Sequence, residues 1–285
     1  STGVIQQLNR QTPYATRSHM RRLDSGLDKQ SKASGPRQLH TSQWGIICIS
    51  ETPEGETCGH IRNLAILALI RSGIDTDDVA QIVGLAVGDL LVVIDDMDPT
   101  ADEHVNYTTV FVNGRIIGYT TDAAKVTLIM RDMRRRAILP RLASISHIKN
   151  MDELHIGTDD GCITRPLFVV DKIHLLVPIF EILRASGRYH AVDFWKMLIE
   201  EGVVEYIDKD EEAQGRVAVH LADLDPRFFG SPEDAEAARR DEIASGETDP
   251  YIHVEIHPSS MYGSTGTIIP LPDYSQAPRN AYVAS

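Results

Sequence analysis

The chain has 285 residues, of which 42% are hydrophobic and 24% charged, and a formal net charge of −13 at pH 7. It contains no run of about 18 apolar residues and no signal segment, which predicts a soluble protein that is not secreted by a signal of its own. The length predicts a buried core and a division into two or more units. Because the sequence starts at Ser1 and not at Met, we expect a processed or partial chain.

The charge is distributed unevenly along the chain. Residues 1–63 carry eight Lys or Arg against five Asp or Glu, whereas the remaining residues carry 20 against 36. An acidic protein is normally a poor partner for nucleic acid. A basic N-terminal part on an acidic body nevertheless permits a local surface that faces phosphates.

The three cysteines, Cys48, Cys58 and Cys162, have no CxxC spacing. Their number and spacing argue against a zinc ribbon and against a disulfide framework. We therefore interpret them as structural thiols of a protein from a reducing compartment.

The first elements follow a polar N-terminal stretch. The segment 23–38 is rich in turn formers and is predicted to be an exposed loop, for which ordinary solvation is the simpler interpretation and phosphate contact the alternative. The nearly continuous apolar run 62–71 predicts a helix that ends at Gly73. A second helix is predicted to begin with Thr76 as its N-cap.

Two strands and a hairpin come next in the chain. Residues 90–94 and 108–112 are predicted to be strands. Asn113-Gly114 stands between two apolar stretches, and this dipeptide predicts a type I′ turn, because both of its central residues tolerate positive φ.

A helix capped by Asp122 is predicted to end before Pro140. Its periodicity places an apolar face on Val126, Ile129, Met130 and Met133. Its arginines, expected mostly on the other, solvated side, are Arg131, Arg134, Arg135 and Arg136.

The second half of the chain mixes short strands and helices. The predicted elements are a buried strand within 165–182, a helix at 194–201, a strand at 203–208, a linker or surface helix at 232–247, and an alternating segment at 252–258. Because strands and helices alternate without a regular βαβ period, we predict a multi-domain α+β chain.

Three groups of residues could carry chemistry. His253, Glu255 and His257 alternate on a predicted strand and could ligate a metal, although a polar strand face without metal is the preferred interpretation. The others are the bend at 51–56 and the run SQAPRN at 275–280. In that run, Pro278 restrains Arg279, whose guanidinium fork suits phosphate oxygens.

In the bend, carboxylates crowd around a rigid turn. Glu51, Glu54 and Glu56 could act as acids or bases or bind magnesium. Pro53 fixes a turn in the backbone, and Gly55 allows a wider range of the next dihedral angles. This favours a structural or positioning role for the glutamates.

Five blocks in chain order resemble the second-largest, β-like subunit of multisubunit DNA-directed RNA polymerases, of the archaeal, eukaryotic and large-DNA-virus type. The central block is PRQLHTSQWGIICISETPEGETCGHIRNLA, which is similar to the fork of that subunit. The blocks are 36–65, 4–22 just upstream, 110–118 with 157–170, 194–212, and 254–285. The resemblance covers essentially the whole chain.

The resemblance implies a multi-domain fragment from the middle of that subunit. It implies a fork region at 1–73, an external 1 domain at 74–165, an external 2 domain at 166–235, and the start of the hybrid-binding core at 236–285.

The resemblance also implies roles for single residues. Arg279 would bind the incoming nucleotide. Gln6, Arg37 and Glu54 would belong to the fork at the active centre, with Glu54 facing moving elements of the partner subunit, unless the bend only holds the fork in place. The residues implied to contact nucleic acid are Arg17, Arg21 and Arg22.

The chain alone is expected not to be catalytic. In this family two Mg²⁺ ions drive nucleotidyl transfer, and they are held mainly by the largest subunit. The implied partners are that β′-like subunit, other polymerase subunits, the rest of its own subunit, the DNA template, the RNA/DNA hybrid and NTP, with no membrane. The implied location is intracellular: the nucleus, the cytoplasm, a viral factory or a virion. The alternative is a non-catalytic nucleic-acid or polymerase-binding module with the same fold.

Overall fold

The computed structural model describes residues 5–94, 107–187, 190–245 and 251–284. Its helices are α1 Pro13–Met20, α2 Thr76–Val87, α3 Ala123–Arg135, α4 Leu176–Ala185, α5 Ala191–Glu200, α6 Lys209–Glu212, α7 Pro232–Ser245 and α8 Ala277–Ala284. Its strands are β1 Arg22–Asp24, β2 Ile61–Asn63, β3 Leu69–Ile70, β4 Val92–Val93, β5 Thr108–Val112, β6 Arg115–Thr120, β7 Ser144–Ile148, β8 Glu153–Gly157, β9 Ile163–Val169, β10 Val204–Ile207, β11 Arg216–Ala218 and β12 Tyr251–Val254. The predicted α+β class is confirmed.

The chain forms two compact units. The first unit joins the residues before Leu69 to those after Ile256, and the second runs from Leu69 to Ile256. Domain boundaries at 73, 165 and 235 remain predictions.

The first unit is built on little regular structure. Strands β1 and β2 pair antiparallel, with Arg22 opposite Asn63, and most of the rest is formed by turns and short 3-10 segments. The buried apolar side chains of this unit include Ile46, Cys48, Leu64, Ala65 and Ala68.

The prediction of a helix at 62–71 is wrong. This run instead contains the end of β2, a turn and β3. The backbone N–H of Leu64 donates to the carbonyl of Arg21, and that of Ala65 donates to Ile46. A continuous apolar run is compatible with a helix or a buried extended segment, and here pairing with distant segments decided the outcome.

In the second unit, one five-stranded sheet has the order β4-β6-β5-β8-β7. The predicted hairpin between β5 and β6 is confirmed, with φ of 49° at Asn113 and 78° at Gly114. Helices α2 and α3 bury Val79, Val83, Val126 and Met130 in the core of this part. The cap of α2 is Asp75, not Thr76, and Asp122 caps α3 as predicted.

The second sheet of this unit has the order β10-β9-β12-β11, and β3 also pairs with β9. Its core includes Phe168, Leu198 and Phe228. The segment predicted as a linker or surface helix forms α7, which buries Ala235 and Ala238 on that core. Residues 246 and 247 of that prediction lie outside the described residues.

The prediction of a mostly solvated arginine face on α3 is wrong for Arg131, Arg134 and Arg135, whose side chains are 14%, 1% and 19% exposed. The Arg134 side chain pairs with Glu211 at 2.5 Å and Glu205 at 3.0 Å. Arg135 pairs with Glu205 as well, at 3.1 Å, whereas Arg136 is exposed. Arg134 follows Val126 and Met130 at intervals of four, so helical geometry places it on the buried side.

Candidate nucleotide and nucleic-acid interface

The bend that contains Thr-Pro-Glu-Gly is anchored through Glu51. This carboxylate is 6% exposed, and its Oε1 accepts hydrogen bonds from the Ser18 hydroxyl and from Asn63 Nδ2, the latter at 2.5 Å. Thr52 Oγ1 donates to the carbonyl of Ile61 at 3.0 Å. Glu51, which the sequence analysis grouped with Glu54 and Glu56, is thus a buried anchor of the bend.

The tip of the bend faces outward. Gly55 has φ of 79°, a conformation that favours glycine, and it starts a 3-10 turn at Gly55–Thr57. Glu54 and Glu56 are both exposed. Glu54 is therefore available for contact outside the chain, as its predicted role requires.

Arg37 ties the bend to the preceding loop. Its Nη1 donates to the carbonyls of Glu56 at 2.6 Å and Cys58 at 2.8 Å. Its Nη2 donates to the carbonyls of Lys29 at 2.8 Å and Ser31 at 3.0 Å. Because both terminal nitrogens of the guanidinium are bonded in this way, the geometry supports a positioning role for Arg37 between the loop and the bend.

Arg62 makes a second clamp that sequence reasoning missed. Its Nη2 donates to the carbonyls of Pro36 and Gln38, both at 2.9 Å, and its Nε donates to Gly59 at 2.8 Å. Burial lowers the pKa of Arg62. The only sequence signal was a cation at the start of an apolar run, and two of its partners, Pro36 and Gln38, lie more than 20 residues away along the chain.

The three arginines predicted to contact nucleic acid differ in their surroundings. Arg17 and Arg22 are exposed. Arg21 Nη2 donates to the carbonyls of Ala65 at 2.6 Å and Ala68 at 3.0 Å, and burial followed by the charge of Arg17 lowers its pKa. Gln6 is exposed, and its Oε1 lies 2.9 Å from His19 Nε2. Arg17 and Arg22 are thus the freer cations for phosphate contact.

Arg279 lies in the first turn of α8, where its backbone N–H donates to the carbonyl of Gln276 at 2.9 Å. The neighbouring Asn280 is buried, and its Nδ2 donates to the carbonyl of Pro272 at 2.9 Å. The Arg279 guanidinium is exposed and lies 5.8 Å from the ring centre of Tyr282. A fixed backbone thus presents an accessible cation, the arrangement that an anion contact requires.

The residues considered for a metal site have other partners. His253 Nε2 lies 2.6 Å from Glu205 Oε1, and Glu255 accepts from Arg165 at 2.5 Å. Strand β12 ends at Val254, so the alternation expected through His257 does not continue. Across 5–94, 107–187, 190–245 and 251–284, no group of three or more His, Cys, Asp or Glu could hold a metal ion.

The cysteines are free thiols. Cys48 is buried, Cys58 exposed and Cys162 half-buried. Burial first, and then the charge of Asp208, raise the pKa of the Cys162 thiol to about 11, which keeps it protonated at neutral pH. In the described part of the chain, no helix is long and apolar enough to cross a membrane.

Three family models match successive parts of the chain. They are described as RNA polymerase Rpb2 domain 3, domain 4 and domain 5, and they match residues 6–70, 110–171 and 195–258. The matches follow the order of the domain numbers and together take in more than half of the chain. The chain belongs to the RNA polymerase Rpb2 family.

Relatives of this Rpb2-family chain are similar to it over nearly its whole length. DNA-directed RNA polymerase II subunit 2 of Arabidopsis thaliana is 36% identical, over 98% of this chain and 22% of that protein. Subunit RPB2 of Schizosaccharomyces pombe is 34% identical, over 98% of this chain and 24% of that protein. DNA-directed RNA polymerase subunit Rpo2 of Sulfolobus acidocaldarius is 31% identical, over 99% of this chain and 23% of that protein. The chain therefore spans about a quarter of the length of these relatives.

Proposed function

We propose that this Rpb2-family chain forms part of the second-largest subunit of a DNA-directed RNA polymerase and shapes the active-centre cleft around the RNA/DNA hybrid and the incoming NTP. One observation carries the proposal: three consecutive Rpb2 domains match in order, and similarity to named polymerase subunits extends over 98% of the chain. The alternative of a non-catalytic binding module with the same fold is not favoured, because the family models and the relatives described above are all those of polymerase subunits.

Within that function, Arg279 contacts the triphosphate of the incoming nucleotide. Its accessible guanidinium and its helix-fixed backbone support this role. The charge on the leaving pyrophosphate increases in the transition state, and a pre-positioned cation stabilises it with little reorganisation.

The other predicted residues divide into contact and positioning groups. Glu54 faces the partner subunit, and Arg17 and Arg22 face the nucleic-acid backbone, since all three are exposed. Arg37 and Arg21 hold the fork through backbone carbonyls. Gln6 belongs to the fork beside His19.

The Mg²⁺ ions of nucleotidyl transfer are supplied mainly by the largest subunit. In this proposal the chain contributes binding and positioning groups. Its partners are other polymerase subunits, and more specifically the β′-like subunit, the rest of its own subunit, DNA template, hybrid and NTP. The complex works inside the cell, in the nucleus or cytoplasm, or in a viral factory or virion.

The test is purification of the full-length subunit that contains this chain through an affinity tag. We expect it to be recovered with a β′-like subunit and with RNA synthesis that requires a DNA template and all four nucleotides. Recovery without a β′-like subunit, or a complex that does not polymerise nucleotides, would contradict the proposal.

A further inference from the structure

Helix α8, which carries Arg279, is tied to a turn that precedes it in the chain. Asn280 is 8% exposed, and its Nδ2 donates to the carbonyl of Pro272 at 2.9 Å. The helix has only eight residues, and a helix of this length is marginal in water on its own. The position of α8 therefore depends on contacts such as this one.

The turn that accepts this bond begins at a residue in an unfavourable conformation. Leu271 has φ of 48° and ψ of 56°, in the left-handed region that favours glycine. Its side chain is 70% exposed, so packing of that side chain gives the conformation little support. Backbone strain of this kind persists only where the surrounding structure fixes it, and it is concentrated at functional sites.

The carbonyl of Pro272 accepts from two donors that have different effects. The backbone N–H of Ser275 donates to it at 3.2 Å and closes the turn, as the N–H of Tyr274 does at the carbonyl of Leu271, at 3.1 Å. The side chain of Asn280 joins this closed turn to α8. Because the backbone bonds remain when that side chain is removed, loss of Asn280 should release α8 without opening the turn.

The place of the exposed Arg279 guanidinium depends on where α8 lies. The guanidinium is 5.8 Å from the ring centre of Tyr282, which belongs to the same helix. The backbone N–H of Arg279 donates to the carbonyl of Gln276, directly before the helix. Both contacts move with α8, whereas the bond of Asn280 reaches to a separate turn.

We propose that Asn280 is a positioning residue for nucleotide addition. Through its bond to the Pro272 carbonyl it fixes the first turn of α8, and thereby the place at which Arg279 meets the triphosphate. The inference rests on the proposed function, because it needs Arg279 at the incoming nucleotide. The strained turn at Leu271 is the fixed end of this connection, and Asn280 is the link.

The first measurement is single-nucleotide addition by the polymerase assembled with the full-length subunit, over a range of nucleotide concentrations. Asn280→Ala should lower the efficiency of addition about 10-fold, because a displacement of about 1 Å at a reacting group has effects of this size or larger. Thr267→Val is the matched control, since Thr267 Oγ1 likewise donates to a backbone carbonyl of the first unit, that of Ser264, at 3.0 Å. It should retain the wild-type efficiency.

Arg279→Ala and the double variant complete a double-mutant cycle on the same efficiency. If Asn280 acts through Arg279, the double variant should be no slower than Arg279→Ala alone. Losses that multiply, or a wild-type efficiency in Asn280→Ala, would overturn the inference and leave the role of Arg279 intact. A wild-type efficiency in Arg279→Ala would instead refute the proposed role of Arg279, and this inference with it.

The second measurement separates positioning from a loss of folded enzyme. The KM for pyrophosphate in the reverse reaction does not depend on the fraction of enzyme that is active, and Arg279 would contact the same phosphates in that reaction. This KM should rise in both Asn280→Ala and Arg279→Ala and stay unchanged in Thr267→Val. An unchanged KM for pyrophosphate in Asn280→Ala, with a raised one in Arg279→Ala, would show that Asn280 is only structural.

Discussion

Arg134 Nη1 lies 2.5 Å from Glu211 Oε2, and the two side chains are 1% and 0% exposed. Burial alone would lower the pKa of Arg134, but the charges of Glu211 and Glu205 raise it, so the guanidinium stays charged. This buried pair joins α3 to α6 inside the second unit. The pair stabilises the fold only when both partners are present.

Removing one partner of this pair should destabilise the second unit strongly. Arg134→Ala removes the cation that bridges two buried carboxylates and leaves Glu211 with only the more distant Arg131, at 3.3 Å. Loss of one partner of a buried pair amounts to about 3–5 kcal/mol. We expect this loss in the unfolding free energy of the full-length subunit, measured by urea denaturation with a probe in this unit. Arg136→Ala, which removes a 69% exposed cation paired with Asp132, should change it by less than about 1 kcal/mol. Equal effects of the two substitutions would contradict the structure.

Nucleotide addition should depend on Arg279. Loss of a fixed cation at the leaving phosphates is expected to remove about 2–4 kcal/mol of transition-state stabilisation, or roughly 10²-fold in efficiency. Arg279→Ala should show this loss at limiting nucleotide with normal template binding, and Arg279→Lys should recover part of it. Arg240→Ala, another exposed arginine, is the control. Wild-type elongation by Arg279→Ala would show that the residue has been assigned wrongly.

Stability should fall in acid through Glu205. Burial alone would raise the pKa of Glu205, but Arg134, His253 and Arg135 hold it well below its ordinary value of 4.5. Because the folded-state pKa is the lower one, this stabilisation is complete above pH 4.5 and is lost as the pH falls towards the folded-state pKa. Glu205→Gln should be less stable at neutral pH and should lose less stability below pH 4.5.

Urea denaturation at several pH values below and above 4.5 measures how steeply the unfolding free energy of each variant changes with pH. Glu236→Gln, which neutralises a 72% exposed carboxylate, should retain the wild-type slope. An unchanged slope in Glu205→Gln would mean that other carboxylates account for the acid sensitivity.

The Arg37 clamp should limit opening of the loop and the bend together. Arg37→Ala removes four bonds to backbone carbonyls, and bonds of a charged donor contribute about 1.5–3 kcal/mol each at most. We expect faster amide hydrogen exchange in peptides covering 26–33 and 54–60. Arg37→Lys should restore little of the protection from exchange, because an ammonium cannot span four acceptors. Lys32→Ala, an exposed neighbour, should leave exchange unchanged in both peptides.

Two glycines should respond oppositely to a methyl group. Gly84 lies inside α2 with open space around its Cβ position, so Gly84→Ala should stabilise by about 0.5–1 kcal/mol through helix propensity. At Gly263 the same methyl would lie 2.9 Å from Glu51 Oε2 and 3.1 Å from Cys48 Cβ, so Gly263→Ala should destabilise. Thermal unfolding of the two variants shows directly whether each substitution raises or lowers the stability. A stabilised Gly263→Ala would contradict the packing at Glu51.

The sequence by itself determined the features that depend on neighbouring residues. Asn113-Gly114 turns the chain because both residues take positive φ, and Asp122 caps α3 because its carboxylate accepts from Lys125 N–H three residues on. Collinear motifs along the whole chain were likewise enough to identify the family and to nominate Arg279 and Glu54, whose exposure agrees with their proposed roles.

Only the tertiary structure decided what depends on distant partners. The run 62–71 is extended because its backbone bonds to Arg21 and Ile46, which no local pattern reveals. Helical spacing places Arg134 on the buried side of α3, but its charge is stable there because Glu205 and Glu211 come to it from more than 70 residues away. Burial and ionic pairing depend on which side chains the fold brings together, and for a polar residue the composition of its own segment does not specify that.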